Sequence, residues 1–140
     1  MNRQMIEFIH GNLTYKIIGI LFRVYNAMGS GFKEKYYQDA IRRVLEKEKV
    51  PFLEQVKMDM SFEGIKIGKY YIDFVINHKV VLEIKSKSFI SHKDVRQVLE
   101  YLKKSGIEVG LIACFASEGM KIKRLLRGFP GNPGKSDKNP

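Results

Sequence analysis

The chain has 140 residues, of which 44% are hydrophobic and 29% charged, and its formal net charge is +10 at pH 7. This length and apolar content suit one domain with a hydrophobic core. No segment approaches the ~18 consecutive apolar residues of a membrane span, and the N-terminus lacks the features of a signal peptide. We therefore expect a soluble, cytoplasmic protein. The single cysteine, Cys114, lies in an apolar run and excludes an internal disulfide framework.

The strong positive charge favours a polyanionic partner. A sequence pI near 9.7 is typical of proteins that neutralise phosphates, because this releases counterions and accelerates association. Nucleic acid fits this description, and so does an anionic membrane surface. An excess of lysine can also serve solubility alone, so the charge supports a nucleic-acid partner without establishing one.

Hydrophobic periodicity predicts alternating blocks of helix and strand. Apolar residues at helical spacing indicate helices, and alternation or β-branched runs indicate strands. The predicted order is α, α, β, β, β, α, β, with an eighth element, a helix, at the C-terminus. The predicted ranges are 13–28, 33–49, 55–62, 65–76, 80–87, 93–104, 107–115 and 117–127.

A turn at Glu63-Gly64 and a three-residue connection over 77–79 join the three central strands into hairpins. The strand–helix–strand unit over 80–115 favours a parallel pair. We expect one domain over residues 1–127 and a flexible tail over 128–140, since the tail has little apolar material to bury.

Charged residues interrupt two of the apolar strands. Asp73 lies in Tyr71–Ile76, and Glu83 and Lys85 lie in Val80–Lys85. The odd-length connection places Asp73 opposite Glu83, and Lys85 is two residues from Glu83 on the same face of the strand. The pattern therefore predicts that two carboxylates and an amine converge.

Unpaired charges among Val, Ile and Phe cost several kcal/mol unless they are paired or bind a metal. Carboxylate oxygens suit Mg²⁺ or Mn²⁺, which keep waters for substrate phosphates, and a neighbouring lysine can orient or deprotonate a water. This is the chemistry of phosphodiester hydrolysis. The alternative is a half-exposed sheet face that carries a structural Asp-Lys salt bridge.

Residues 71–85 resemble the active-site signature of the PD-(D/E)XK nuclease superfamily. Asp73 corresponds to the first acid, and Glu83-Ile84-Lys85 to the E-x-K element. Two further motifs resemble signatures of the same superfamily in the same order. Gln97 and Tyr101 are similar to the Q-x-x-x-Y motif of its exonuclease-like branch, and Gly31, Glu34 and Tyr37 are similar to the G-x-x-E-x-x-Y signature of the GxxExxY family.

The resemblance extends from about residue 13 to residue 126. It implies an α/β, restriction-endonuclease-like domain with an αβββαβ core, a mixed sheet flanked by helices, and an additional N-terminal helix. It also implies a metal-dependent nuclease that hydrolyses nucleic acid, with the Q-x-x-x-Y motif favouring DNA. The alternatives are a non-catalytic nucleic-acid-binding module on the same fold and a structural or partner-binding protein.

The resemblance assigns roles to particular side chains. Mg²⁺ or Mn²⁺ would be held by Asp73 and Glu83, with Glu34 and the Ile84 carbonyl as further ligands. Lys85 would position the attacking water. Gln97 would act beside these catalytic residues or contact the substrate. The candidate substrate-binding residues are Tyr37, Lys87, Lys93, Gln97 and Tyr101.

Each peripheral residue also has a plainer interpretation. Glu34 can simply interact favourably with the helix dipole, and Tyr37 can be a core aromatic residue. Gln97 and Tyr101 can serve to pack the helix. Lys87 and Lys93 can be solvated surface charges. The histidines lack metal-ligand spacing. Strandedness, sequence specificity, metal number and homo-oligomerisation are not readable from the sequence.

Overall fold

A pair of helices precedes a five-stranded sheet, and another helix connects its third and fourth strands. The computed structural model describes residues 9–128. The elements in chain order are α1 (Gly11–Met28), α2 (Glu34–Lys47), β1 (Phe52–Phe62), β2 (Ile65–Ile76), β3 (Val80–Lys85), α3 (His92–Ser105), β4 (Val109–Ala116) and β5 (Gly119–Leu126).

The strands are arranged in the order β1-β2-β3-β4-β5. Among the strands of residues 9–128, only β3 and β4 form a parallel pair, because α3 carries the chain back across the sheet between them. The other neighbouring pairs are antiparallel. The predicted mixed sheet, the αβββαβ core and the additional N-terminal helix are thus confirmed.

Buried side chains fill both faces of the sheet. On β3, Leu82 and Ile84 belong to the cluster that contains the apolar residues of α1 and α2. Val81 belongs to the other cluster, which contains Val98 and Leu102 of α3. β3 and β4 are buried along almost their whole length because helices cover both of their faces.

The ends of α3 follow the predicted sequence signals. Ser91 caps the helix, accepting a hydrogen bond from the Asp94 backbone N–H, and the Asp94 carboxylate accepts one from the Ser91 N–H. This reciprocal capping box satisfies two amides that the helix leaves unpaired. Gly106 follows the helix with φ of 78°, a conformation that glycine adopts without strain.

Both predicted hairpin connections are present. β1 and β2 are joined at Glu63-Gly64, and β2 and β3 are joined by residues 77–79. Asn77 and His78 both have positive φ, a backbone conformation that asparagine adopts more readily than most other residues. Phe74 pairs with Leu82 and Ile76 with Val80, so this register places Asp73 and Glu83 opposite each other.

The predicted C-terminal helix over 117–127 is wrong. A turn at Ser117-Glu118 leads instead into β5, which runs antiparallel to β4 along its whole length. Lys, Met, Leu and Arg favour helix in isolation, but β4 is a buried strand whose outer edge needs hydrogen-bond partners. Tertiary pairing therefore overrides local propensity.

The predicted tail lies outside the described residues, apart from residue 128, as do residues 1–8 of the predicted domain. Within residues 9–128, no helix is long and apolar enough to cross a membrane.

Candidate metal and catalytic site

The strands β2 and β3 stop pairing through their backbones at the point where the acids occur. Phe74↔Leu82 is the last pair of the β2–β3 ladder before the acids. Next to it, the Asp73 N–H donates to Glu83 Oε1 over 2.7 Å, and the Ile84 N–H donates to Asp73 Oδ2 over 2.8 Å. Each carboxylate thus accepts a hydrogen bond that a backbone carbonyl would accept in a regular ladder. These bonds hold both acids at the point where β2 and β3 diverge, which we call the fork.

The other side of Asp73 is also irregular. Gln55 of β1 lies between the pairs Glu54↔Phe74 and Val56↔Ile72, and it has a left-handed φ of 51°. A non-glycine residue in this conformation is uncommon inside a strand. Its side-chain amide donates to Asp73 Oδ1 over a long 3.4 Å. The local backbone distortion thus brings another donor to the acid.

Helix α2 supplies two side chains to the same place. Glu34 and Gln38 are four residues apart and therefore share one face of the helix. Gln38 donates to Asp73 Oδ1 over 2.9 Å, while Glu34 Oε2 accepts from the Ser86 N–H over 3.4 Å. The start of α2 and the fork between β2 and β3 thus form one site.

Lys85 lies between two acids. Its ammonium is 3.8 Å from Glu83 Oε2 and 3.7 Å from Asp94 Oδ1. Asp94 also pairs with Lys87, at 2.6 Å from Oδ2. Because Asp94 is fixed in the capping box of α3 and is 5% exposed, it is a rigid anchor for both lysines.

Burial and repulsion act on the two central acids. Asp73 is 7% and Glu83 6% exposed. Burial first, and then the nearby charge of Asp73, raises the pKa of Glu83 to about 8. Burial, with the charge of Glu34, also raises the pKa of Asp73. Two adjacent buried carboxyls therefore resist carrying full negative charge together.

Asp94 behaves in the opposite way. Burial acts to raise its pKa, but the hydrogen bonds from Lys87 and Ser91 outweigh burial and lower it. Asp94 consequently ionises more readily than an ordinary aspartate, which suits its pairing with the two lysines.

The acids fit a hard divalent cation. Among residues 9–128, no three His, Cys, Asp or Glu side chains form a ready-made metal-ligand group. Mg²⁺ does not require one, since it is usually bound by one or two carboxylates together with waters and substrate phosphates. The pair formed by Asp73 and Glu83 supplies that donor set, and a cation there would offset the repulsion that raises their pKa values.

Tyr37 is not placed to contact a substrate. It is fully buried, stacks on Phe115 at 4.0 Å between ring centroids, and its hydroxyl donates to the Gly29 carbonyl over 2.6 Å. It therefore holds the loop before α2, in agreement with the plainer interpretation.

Gly31 in that loop has φ of 95° and no neighbour that a side chain would meet, so backbone conformation rather than crowding explains the glycine.

Gln97 and Tyr101 lie on α3, the helix whose first turn carries Asp94. The Gln97 carbonyl accepts a hydrogen bond from the Tyr70 hydroxyl. Tyr101 packs against the cluster beneath α3, and burial raises its pKa. Lys93 is exposed on the same helix. No hydrogen bond within the described range 9–128 links these three side chains to Asp73 or Glu83.

Sequence reasoning missed the roles of Gln38, Gln55 and Asp94. Gln38 could have been found, because it lies one helical turn after Glu34. In the sequence, Asp94 is recognisable only by its spacing from the Ser91 cap, and its contact with Lys85 depends on how α3 docks against β3. Gln55 gave no signal, since its position depends on a backbone distortion.

Comparisons with known proteins place the chain in a family and identify a structure of similar fold. The sequence model of the PD-(D/E)XK nuclease superfamily matches residues 11–125. No curated protein matches the sequence. The crystal structure of SSO0001 is similar in fold, with a TM-score of 0.54 and 16% sequence identity over 68% of this chain and 50% of that chain. This chain thus spans half the length of that protein, and at this identity the likeness shows the fold alone. Since the family match covers most of the sequence, the chain belongs to the PD-(D/E)XK nuclease superfamily.

Proposed function

We propose that this chain is a metal-dependent nuclease that hydrolyses phosphodiester bonds of nucleic acid, with DNA as the expected substrate. The observation that carries the proposal is the buried pair of Asp73 and Glu83 with the Lys85 ammonium 3.8 Å from Glu83. Membership of a superfamily of nucleases supports a hydrolase. Within it, the motif formed by Gly31, Glu34 and Tyr37 favours the GxxExxY family.

Asp73 and Glu83 would hold Mg²⁺ or Mn²⁺, with the Ile84 carbonyl and Glu34 as further candidate ligands. A bound divalent cation supplies Lewis-acid stabilisation of the charge that develops on the scissile phosphate and the leaving oxygen. Glu34 contributes repulsion to both central acids, which is consistent with a position near the same ion.

Lys85 is the candidate for positioning the attacking water. Its ammonium donates hydrogen bonds but accepts none, so it can hold a water or a phosphate oxygen. The contacts with Glu83 and Asp94 restrict where the flexible lysine side chain can place its charge. Such restriction reduces the entropy lost when the reacting groups are aligned.

The remaining candidates serve substrate binding. Lys87 and Lys93 would contact phosphates, while Gln97 and Tyr101 would act from α3. The net charge of +10 supports a polyanionic substrate. The resemblance to the Q-x-x-x-Y motif favours DNA over RNA.

One observation favours a second function, a binding module that does not cut. Three of the four oxygens of Asp73 and Glu83 already accept hydrogen bonds from the protein, so the acids are satisfied in part without a cation. The complete set of Asp73, Glu83 and Lys85 supports catalysis instead. A module that only binds nucleic acid does not need two buried carboxylates that repel each other.

Cleavage in the presence and absence of chelator distinguishes the two functions. Labelled single- and double-stranded DNA and RNA are incubated with the full chain and Mg²⁺ or Mn²⁺, with EDTA as the control. We expect metal-dependent cleavage that EDTA stops. Binding that persists in EDTA and weakens with salt, without cleavage under any condition, contradicts the nuclease and supports the binding module.

A further inference from the structure

The hairpin of β1 and β2 extends beyond the rest of the sheet. β2 pairs with β3 only over Phe74–Ile76, whereas β1 and β2 pair with each other as far as Phe62 and Ile65. We call residues 57–71, a part of this hairpin that pairs only with itself, the ribbon. The ribbon lies against α3, because Lys104 Nζ donates to the Asp59 carbonyl over 3.0 Å and the Tyr70 hydroxyl donates to the Gln97 carbonyl.

A cleft of about 400 Å³ lies between the ribbon and α3, along the helix from Lys93 to Lys104. Its two walls differ in chemistry. The ribbon contributes mainly apolar and aromatic groups, whereas the helix contributes mainly polar and charged groups. The lining residues are Met58, Met60, Ser61 and Tyr70 on the ribbon, and Lys93, Arg96, Gln97, Glu100 and Lys104 on the helix.

The helix wall carries two positive charges that are available to bind a ligand. Lys93 and Arg96 are exposed, and neither forms an ion pair with any side chain in the described range 9–128. Lys104 differs, since it is held by Asp59 and lies 3.7 Å from Glu100. Two cations at the mouth of a cleft complement phosphate groups.

The ribbon wall suits flat apolar groups. Met58 is 5% exposed at the base of the cleft, and Met60 is 41% exposed. Methionine adapts its shape to irregular partners, and an aromatic ring such as that of Tyr70 can stack on a base. A cationic groove with aromatic and apolar groups beside it is typical of proteins that bind single strands.

The cleft adjoins the candidate catalytic site. Burial first, and then the charges of Glu83 and Glu100, raise the pKa of Tyr70. Tyr70 therefore lies near both Glu83 of the catalytic site and Glu100, which also lines the cleft. Lys93 also follows His92 directly at the start of α3, one residue before Asp94, which anchors Lys85.

We infer that this cleft binds a single-stranded segment of the nucleic acid and leads it to the catalytic acids. Lys93 and Arg96 bind its phosphates, and Met58, Met60 and Tyr70 receive its bases. The inference rests on the proposed function, which it deepens by naming the form of the substrate. The cleft volume is at the low end of the ~300–1,000 Å³ range of small-ligand pockets, so it admits an unpaired nucleotide, whereas a double helix would have to lie across its mouth.

The test compares two double variants of the full chain. Lys93→Ala with Arg96→Ala removes the cleft cations. Arg43→Ala with Lys47→Ala is the matched control, because it removes the same two side-chain types from exposed positions on α2, which packs on the opposite face of the sheet. Binding of a fluorescent single-stranded oligonucleotide and of its duplex is measured by anisotropy in EDTA over a series of salt concentrations.

We expect the wild-type chain to bind the single strand more tightly than the duplex. In the cleft variant, loss of two phosphate contacts should make the negative slope of log K against log salt less steep by about 1.4 for the single strand, and the control should keep the wild-type slope. Equal losses in both variants, a preference for duplex, or no binding of the single strand would overturn the inference. Since no cleavage is required, these outcomes are independent of the chelator-sensitive cleavage that tests the proposed function.

Discussion

Asp94 determines where the Lys85 ammonium can lie. Glu83 contacts Lys85 from one side at 3.8 Å, and Asp94 contacts it from the other at 3.7 Å. A lysine held between two acids samples fewer positions than one in solvent. Asp94 is therefore a positioning residue, which acts on the reaction through Lys85.

Replacing Asp94 by Asn should lower kcat, whereas any change in KM reports the separate loss of the Lys87 partner. Asn keeps an oxygen that can accept the Ser91 N–H, so the helix cap survives, but the charge that anchors Lys85 is lost. The expected decrease in kcat is roughly 10- to 100-fold, as for other groups that orient a catalytic residue. Asp39→Asn is the control, because Asp39 is exposed and pairs only with Arg42 among the described side chains. Equal kinetics for the two variants would contradict the positioning role.

Glu83 should make the metal-free protein less stable as pH rises. Its pKa is raised from 4.5 to about 8 in the folded chain. Between these values the folded state binds more protons than the unfolded state, so the free energy of unfolding falls with increasing pH, by at most about 1.4 kcal/mol per pH unit.

Chemical denaturation in EDTA between pH 5 and pH 8 tests this expectation. Glu83→Gln should give a flatter pH profile and higher stability than wild type at the alkaline end. Glu46→Gln, at an exposed position on α2, should retain the wild-type profile. A Glu83→Gln profile that parallels the wild type would show that Glu83 does not titrate abnormally.

At the scale of elements, α3 packs very closely on the centre of the sheet. A Cβ atom at Gly110 of β4 would lie 2.7 Å from Val98 Cγ1 of α3. The glycine is therefore needed for close approach and not for an unusual backbone conformation. This contact fixes the distance between the sheet and the helix that carries Asp94.

Gly110→Ala should lower the free energy of unfolding by about 1–3 kcal/mol, because overpacking forces the helix or the strand to shift. Gly19→Ala is a control of opposite sign. Gly19 lies in α1 with no atom near its added Cβ, and a helical Gly→Ala change stabilises by about 0.8–1 kcal/mol.

Urea denaturation measures both variants. Adding Val98→Ala to Gly110→Ala should restore part of the loss by removing the clashing methyl groups, although it also removes apolar burial. If Gly110→Ala is as stable as Gly19→Ala, the close contact does not limit the packing of α3.

The periodic elements were predictable from the sequence because their patterns agree with their packing. α3 shows this best, since its apolar spacing, Ser91 cap and terminal Gly106 all indicate the same helix. β5 was not predictable, because its residues favour helix and only the exposed edge of β4 makes them a strand. Local preference and tertiary pairing conflict there, and pairing prevails.

The same distinction applies to the site. The alternation along β2 and β3 and the three-residue connection were enough to predict that Asp73 lies opposite Glu83. The hydrogen bonds that replace the ladder at Asp73 were not predictable, since they require the two strands to diverge. Gln55 likewise reaches Asp73 only because its backbone departs from regular strand geometry.

At the scale of the whole molecule, the fold brings distant segments to one edge of the central strands. The start of α2, the fork between β2 and β3, and the start of α3 all meet around Asp73, Glu83 and Lys85. The positive charge of the chain then attracts a polyanion towards a centre that is itself acidic. This combination suits a site where a divalent cation mediates between carboxylates and phosphate.

The most direct test of this account is the rate at which the full chain cleaves nucleic acid with Mg²⁺, measured for wild type, Lys85→Ala and Asp73→Asn. Lys103→Ala, an exposed change on α3, serves as the control, and thermal unfolding verifies that every variant is folded. We predict that Lys85→Ala and Asp73→Asn each lose activity by about 10²-fold or more, while the control cleaves like wild type. Folded Lys85→Ala and Asp73→Asn variants that both cleave at the wild-type rate would contradict the assignment of this site.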